Sequence, residues 1–278
     1  MDESSTNYAP ITFDWVTIPA GEFLMGSDKA TDKDAYEDEL PQHKLYLPEY
    51  KIARGPVTVA QFAQFVSTTG YKTTAEQQGS AWDWAKQAGQ WLEIKGAYWA
   101  APRGAGSHVH SKQNHPVTCV SWHDAQKFCA WAGVRLPSEA EWEKAARGSS
   151  TGSETGRIYP WGNEAPDQSR CNFSMNVQDT TAIDHYPPSA NGLLDMAGNV
   201  REWTSSLWGK DEDKPEFGYP YQAGDGRENQ HAGDDICRVV RGGSFVHTLQ
   251  DMRCARRGWF FPDYRFTYFG FRVLALGG

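Results

Sequence analysis

From Arg241 to Val273 the chain reads RGGSFVHTLQDMRCARRGWFFPDYRFTYFGFRV. Arginines and glycines make a frame, Arg241, Gly242, Gly243, Arg253, Arg257, Arg265, Gly270 and Arg272, and aromatic and polar residues fill the positions between them. Eight of the thirteen residues from Trp259 to Phe271 are aromatic. Phe269, Phe271 and Val273 alternate at strand period, which places them in a central sheet. Trp259, Phe260 and Phe261 precede a Pro-Asp turn, and successive residues of an extended chain point to opposite faces, so the three rings cannot all point inward. An exposed aromatic patch is expected. Such patches mark binding surfaces, because rings offer large contact area at low entropic cost.

Composition narrows the classes of partner. A chain of 278 residues with 39% hydrophobic content can bury a substantial core as one large domain or two small ones. No stretch has the apolar length of a membrane span, so no membrane partner is expected. The opening MDESSTNYAP is acidic and polar, without the basic start and apolar run of a secretory signal. The protein is read as cytoplasmic. A net charge of -8 disfavours nucleic acid, since phosphate contacts need a basic surface. The partners that remain are a protein or a small molecule at the C-terminal surface. Cys119, Cys129, Cys171, Cys237 and Cys254 form no CxxC pair, and all five are read as small buried hydrophobes that stay reduced.

Local patterns define several elements. Phe13 to Ile18 and Glu22 to Met25 alternate around Pro19-Ala20-Gly21 and read as a hairpin. Thr58 with Gln61, Ser121 with Asp124, and Ser138 with Glu141 are capping-box pairs, each followed by apolar residues at helical spacing and a stop at Gly70, Gly133 and Gly148. An acidic loop runs from Asp28 to Glu39. Glu76 to His115, with many glycines and four tryptophans, is too long for a plain connector, and its tryptophans argue for order.

Four segments, LPSEAEWEKAARG at Leu136 to Gly148, YPWGNE at Tyr159 to Glu164, LLDMAGNVREW at Leu193 to Trp203, and the RGGS frame at Arg241, resemble the formylglycine-generating enzyme family. The resemblance covers nearly all of Trp15 to Val273. It implies the irregular α+β architecture shared with C-type lectins: a small twisted antiparallel sheet, a few helices and many long ordered loops. It also implies a flexible N-terminus at 1–12 and a single domain over 13–278. Glu76 to His115 resembles the family's insertion before its first core helix. Cys129 and Cys254 match positions bridged in secreted relatives, which implies that they lie close in space.

The resemblance carries two metal expectations. The family's enzyme holds copper with two cysteines just after RGGS and uses it to activate oxygen and oxidise a substrate cysteine. In a gap-free pairing His247 takes the place of the first, and the stretch to Cys254 is too short to supply the second. Cuprous copper selects soft thiolates, so copper is not expected here. The family also binds calcium at positions matching Asp195, Gly198, Val200 and Glu202, with Asp195 where an asparagine occurs and Val200 where an alanine occurs. Carboxylates and carbonyls from one turning segment suit that hard ion, whose role would be structural. A second calcium site would use Asn172 and Phe173; its acidic partner falls near Met175, and Asp179 is the alternative donor. His108, His110 and His115 cluster before Pro116 and read as surface loop histidines. The relatives that use a histidine-based iron site also carry an additional N-terminal helical domain.

The C-terminal segment also resembles the variable region of diversity-generating retroelement proteins, some of which display a randomised ligand-binding surface on this fold. Those systems mutate adenines. Val246, His247, Thr248, Asp251, Phe260, Phe261, Tyr264, Phe266, Thr267 and Tyr268 fit an origin from asparagine codons, whereas Gln250 and Trp259 do not. Two functions follow. In the first, Val246, His247, Thr248, Leu249, Gln250 and Asp251, with Trp259, Phe260, Phe261, Tyr264, Phe266, Thr267 and Tyr268, contact a ligand, and Arg241, Arg253, Arg257 and Arg272 are scaffold. In the second, the chain is an oxidoreductase acting on a cysteine or small thiol through His247 and an accessible, acidic Cys254.

Overall fold

The computed structural model describes residues 10–85, 89–148 and 156–277. Residues 1–9 of the expected flexible N-terminus lie outside the described residues. Ile11 already packs on the main core, and the Thr12 carbonyl accepts from Gln61 Nε2 at 3.0 Å.

All three capping boxes form. Thr58 opens α1 (Val59–Thr69), Ser121 opens α3 (Trp122–Ala132) and Ser138 opens α4 (Glu139–Arg147), each with reciprocal hydrogen bonds to the residue three positions on. A further pair, Thr73 with Glu76, caps the short α2 (Thr74–Gln78). The side-chain acceptors satisfy amide donors that the first turn leaves unpaired.

Four strands at the N-terminal side are β1 (Trp15–Ile18), β2 (Gly21–Met25), β3 (His43–Leu47) and β4 (Tyr50–Ala53). The expected hairpin of the first two does not form. β1 pairs with β4, Trp15 opposite Ala53, and β2 pairs with β3, Gly21 opposite Leu47. Alternation identifies strands but not partners, and here Pro19-Ala20 carries the chain from one sheet into the next. β5 (Ser80–Ala85) and β6 (Gln90–Lys95) make a separate hairpin inside the tryptophan-rich stretch, as its composition led one to expect of an ordered segment.

The remaining strands are β7 (Val134–Arg135), β8 (Arg201–Gly209), β9 (Cys237–Arg241), β10 (Arg257–Phe260), β11 (Phe269–Phe271) and β12 (Leu274–Ala275). One four-stranded sheet has the order β1-β4-β12-β7 and the other β10-β9-β8-β11. The expected α+β fold with a few helices and small sheets is borne out, the sheets of the described residues being these two and the two-stranded β2-β3 and β5-β6 pairs. β8 is buried along its whole length, with β9 antiparallel on one side and β11 parallel on the other. The segment 241–273 therefore leaves β9, returns as β10 on the outer edge, and ends as β11 on the opposite edge. Phe271 packs at 5.3 Å from Phe128, which stacks on Phe62 at 5.9 Å, so β11 closes the aromatic core under α1 and α3.

The arginine frame is internal. Arg272 bonds Glu202 through Nε at 2.6 Å and Nη2 at 2.7 Å, and Arg257 bonds Glu139 at 2.9 and 3.0 Å. Arg241 pairs with Glu143, and its guanidinium lies 5.5 Å from the Trp142 ring. Arg253 grips Glu39 at 2.5 and 2.7 Å and Asp32 at 2.9 Å, which folds the acidic loop onto the C-terminal segment. Gly243 adopts a φ of 65°, and a Cβ there would lie 2.3 Å from Met252 Cε, so the turn after Arg241 requires glycine.

Burying two carboxylates without their cation is costly. Arg253→Met is expected to lower unfolding stability by about 3–5 kcal/mol in urea titrations followed by tryptophan fluorescence. Adding Glu39→Gln should restore part of that loss. A cost below about 1 kcal/mol, the range of exposed pairs, would show that the frame does not anchor the loop.

Candidate ligand-binding groove

Strand β10 and the turn that follows carry Trp259, Phe260, Phe261, Tyr264 and Phe266 into one wall of a groove of about 410 Å³. The facing wall comes from the β5–β6 hairpin. The register sets Trp84 opposite Trp91, and Trp82 lies two residues before Trp84 on the same face. Trp82 N donates to Arg265 O at 3.0 Å, and Thr267 N donates to Trp82 O at 2.9 Å, which bolts the hairpin to the C-terminal segment. Trp82 and Trp91 line the groove, with the Trp91 ring 4.8 Å from Phe266. Trp91 is 44% exposed and forms the rim. Glu212, from the loop after β8, completes the lining. Sequence reasoning missed Trp82, Trp91 and Glu212 as site residues; their tryptophan-rich context was the available signal.

The predicted contact residues divide into three groups. Trp259, Phe260, Phe261 and Tyr264 are half-buried and line the groove, and Phe266, 3% exposed, forms its floor. Thr267 and Tyr268 are 5% and 0% exposed, so the expectation that they face outward is corrected. Tyr268 is enclosed by Phe266, Phe269 and Phe245, and Thr267 borders a separate cavity of about 50 Å³ beside Trp99 and His115. Val246, His247 and Asp251 are half-buried, and Thr248, Leu249 and Gln250 are exposed, but none of them lines the groove. Val246 to Asp251 therefore offers a surface distinct from the aromatic one.

His247 sits where its two ring nitrogens are both engaged. Arg201 can only donate, so the 3.2 Å contact from its Nη1 makes Nε2 the acceptor. Nδ1 then carries the hydrogen and donates to Ser244 Oγ at 2.6 Å. Burial and the adjoining Arg201 guanidinium hold its pKa down at about 3. Cys254 is 0% exposed, and burial pushes its thiol up to about 12. The oxidoreductase reading needed an accessible and acidic Cys254; the structure shows the opposite. All five cysteines are free and buried. Cys129 and Cys254 belong to different apolar clusters, one around Phe128 and one around Trp142.

The two expected calcium segments lie side by side. A Cβ on Gly198 would approach the Asn172 carbonyl to 2.3 Å, and Asn199 N donates to that same oxygen at 2.9 Å. Asp195 is buried and accepts from Asn199 Nδ2 at 2.7 Å, and burial raises its carboxyl to about 7. Asn172 Oδ1 is buried without a hydrogen-bond partner. Asn172 Oδ1 and the Asp195 carboxyl are hard oxygens of the kind calcium takes, and among the described residues no group of three or more His, Cys, Asp or Glu side chains is arranged to hold a metal ion. Glu202 fits less well, because Arg272 takes both its oxygens and Trp142 Nε1 donates to one of them at 2.7 Å. Asp179 is occupied by Lys112 at 2.6 Å and by Arg103 at 3.8 Å, so it is not the spare donor that the second site needs. Val200 is fully buried, and Phe173 packs half-buried beside Tyr159 and Met252. His108 and His110 stack on each other in an exposed loop, while His115 contacts Thr180 Oγ1 at 3.0 Å.

The comparisons with known proteins agree with this fold. Over 94% of its length, matching 92% of the relative, the chain is 37% identical to the formylglycine-generating enzyme of Thermomonospora curvata. It is also 33% identical to the inactive C-alpha-formylglycine-generating enzyme 2 of Bos taurus, over 96% of this chain and 89% of that one. Among solved structures, PvdO from Pseudomonas aeruginosa superposes with a TM-score of 0.67 at 24% identity, covering 94% of this chain and 93% of that one. Treponema denticola variable protein 1 superposes with a TM-score of 0.62 at 18% identity, covering 95% of each chain. These two show the shared fold. The model of the sulfatase-modifying factor enzyme 1-like domain matches residues 3–275, and with the arginine frame and RGGS turn in place, the chain belongs to that family.

Proposed function

We propose that the chain is a ligand-binding protein that uses the family scaffold, without a copper cysteine pair, to display an aromatic recognition surface diversified by a retroelement. The observation that carries this reading is the groove itself. Residues that fit an adenine-mutated origin, Phe260, Phe261, Tyr264 and Phe266, converge on one concavity while the neighbouring Arg257 and Arg265 are buried. Variation at the first set leaves the second untouched. Position 247, where the family's enzyme has a copper ligand, holds a histidine whose nitrogens are already spent on Ser244 and Arg201. A relative of comparable identity carries the word inactive in its name, so family membership alone does not supply the reaction.

The direct test is the genomic DNA beside the gene. A second, near-identical copy of the stretch encoding Arg241 to Val273, differing almost only at adenines and accompanied by a reverse transcriptase, is the expected finding. Its absence would leave a fixed receptor.

Calcium is proposed as a structural ion at Asp195 and Asn172. Adding calcium to the chelated protein should raise the melting temperature, and Asp195→Ala should abolish that rise; an equal rise in the variant would place any bound calcium elsewhere.

His247 supplies a pH dependence of the opposite kind from an ion-paired histidine. Its folded pKa lies near 3 and its unfolded value near 6.5, so its contribution is complete above the unfolded value and is lost as pH falls towards the folded one. Stability should fall by up to about 1.4 kcal/mol per pH unit across that window, and His247→Gln should flatten the slope in denaturation curves taken at successive pH values.

A further inference from the structure

The groove has a charge signature as well as a shape. Trp82, Trp91, Trp259, Phe260, Phe261, Tyr264 and Phe266 present ring faces or edges, and no lysine, arginine or histidine is among the residues that line it. Glu212 is the charged group in that lining, exposed at the mouth. Asp263, in the turn between Phe261 and Tyr264, adds a second carboxylate beside the Tyr264 phenol. Two basic side chains of adjoining segments are engaged elsewhere. Arg265 donates from Nε to Ser80 O at 2.8 Å, and Lys210 pairs with Asp235 at 2.7 Å. Aromatic faces carry negative quadrupole potential, and a wall of them with one acidic rim attracts an organic cation more strongly than a neutral molecule of the same shape.

We infer that the ligand class of this groove is a small organic cation bearing an N-methylated ammonium, held over the Trp91 and Phe266 rings with Glu212 as counter-charge. The inference rests on the reading of the groove as the recognition site and adds the chemistry of what enters it. A trimethylammonium group is bulky and weakly hydrated, so it gives up little water on entering a cavity of about 410 Å³ and meets several ring faces at once. Trp259 lines the same groove, and its indole N–H is buried without a hydrogen-bond partner.

The test compares choline with its neutral isostere 3,3-dimethylbutan-1-ol on the full chain, read by shifts of the indole N–H resonances during titration. Choline should bind about tenfold or more tightly than the alcohol. Glu212→Gln alters an exposed side chain and should weaken choline by about threefold or more with the melting temperature unchanged, and Trp91→Ala, which also removes ring contacts with Trp84 and Phe266, should weaken choline at least as much in protein whose other indole N–H resonances keep their folded positions. Equal binding of choline and the alcohol overturns the cationic class and leaves the groove as an apolar binding site. Binding of neither also overturns it, and the genomic template then decides separately whether the groove is a diversified surface. Choline binding that survives both substitutions places the cation elsewhere and overturns the assignment.

Discussion

Four arginines of the last third of the chain are held inside the protein by carboxylates that come from elsewhere. Glu143 and Glu139 rise from α4 to meet Arg241 and Arg257, Glu202 leaves β8 for Arg272, and Glu39 arrives from the acidic loop for Arg253. A guanidinium in a low-dielectric interior is tolerated only when its charge and its N–H groups are matched, and a lone carboxylate in the same place is no better. Each pair therefore fixes two segments with respect to each other. With large parts of the chain in loops, these pairings do much of what extended ladders do in a more regular fold. Trp142 lies against the Arg241 guanidinium, and Trp208 and Tyr219 lie against that of Arg257, so two of the ionic pairs are also part of the aromatic packing.

The same frame explains how an open aromatic groove and a stable fold coexist in one segment. On β10, Arg257 turns inward opposite Arg241, and the strand continues into Trp259 and Phe260, whose rings reach the groove. The residues that anchor and the residues that contact are interleaved in sequence yet separated in space. Beyond the turn, Arg265 donates to Ser80, and the backbone of Trp82 bonds on either side of Phe266. The hairpin thus serves as both the second wall of the groove and the fastener of the first.

Much of this was legible from the residues alone where the physics is local. Capping boxes are short-range exchanges of hydrogen bonds, so Ser121 with Asp124 announced a helix without reference to anything distant. Strand partners are set by tertiary context, which is why Trp15 to Ile18 declared itself a strand while its pairing with Tyr50–Ala53 was hidden. The aromatic excess after Trp259 pointed to exposed rings, and the structure gathers them in a groove, but Trp82 and Trp91 reach that groove from far earlier in the chain, and Tyr268 was lost to the core through packing that no periodicity encodes. The segment from Leu193 to Trp203, where calcium was expected, shows the limit most plainly. Glu202 has the right chemistry and position for a ligand, and only the structure reveals that Arg272 and Trp142 already occupy its oxygens.

The path of residues 241–273, from β9 to one border of the sheet and then to the other, has a bearing on what kind of change the segment can absorb. β10 is read against Arg241 and Val240, and β11 is read against Arg201 and Glu202, so both ends of the contact-bearing stretch are pinned to registers of one rigid strand pair. Exchanging one side chain for another perturbs neither register. Adding or removing a residue within β10 or β11 would turn the following strand side chains to the opposite face, while the turn between the two strands can take up a change of length. The two strands accommodate substitution at constant length, and any change of length is confined to the turn that joins them.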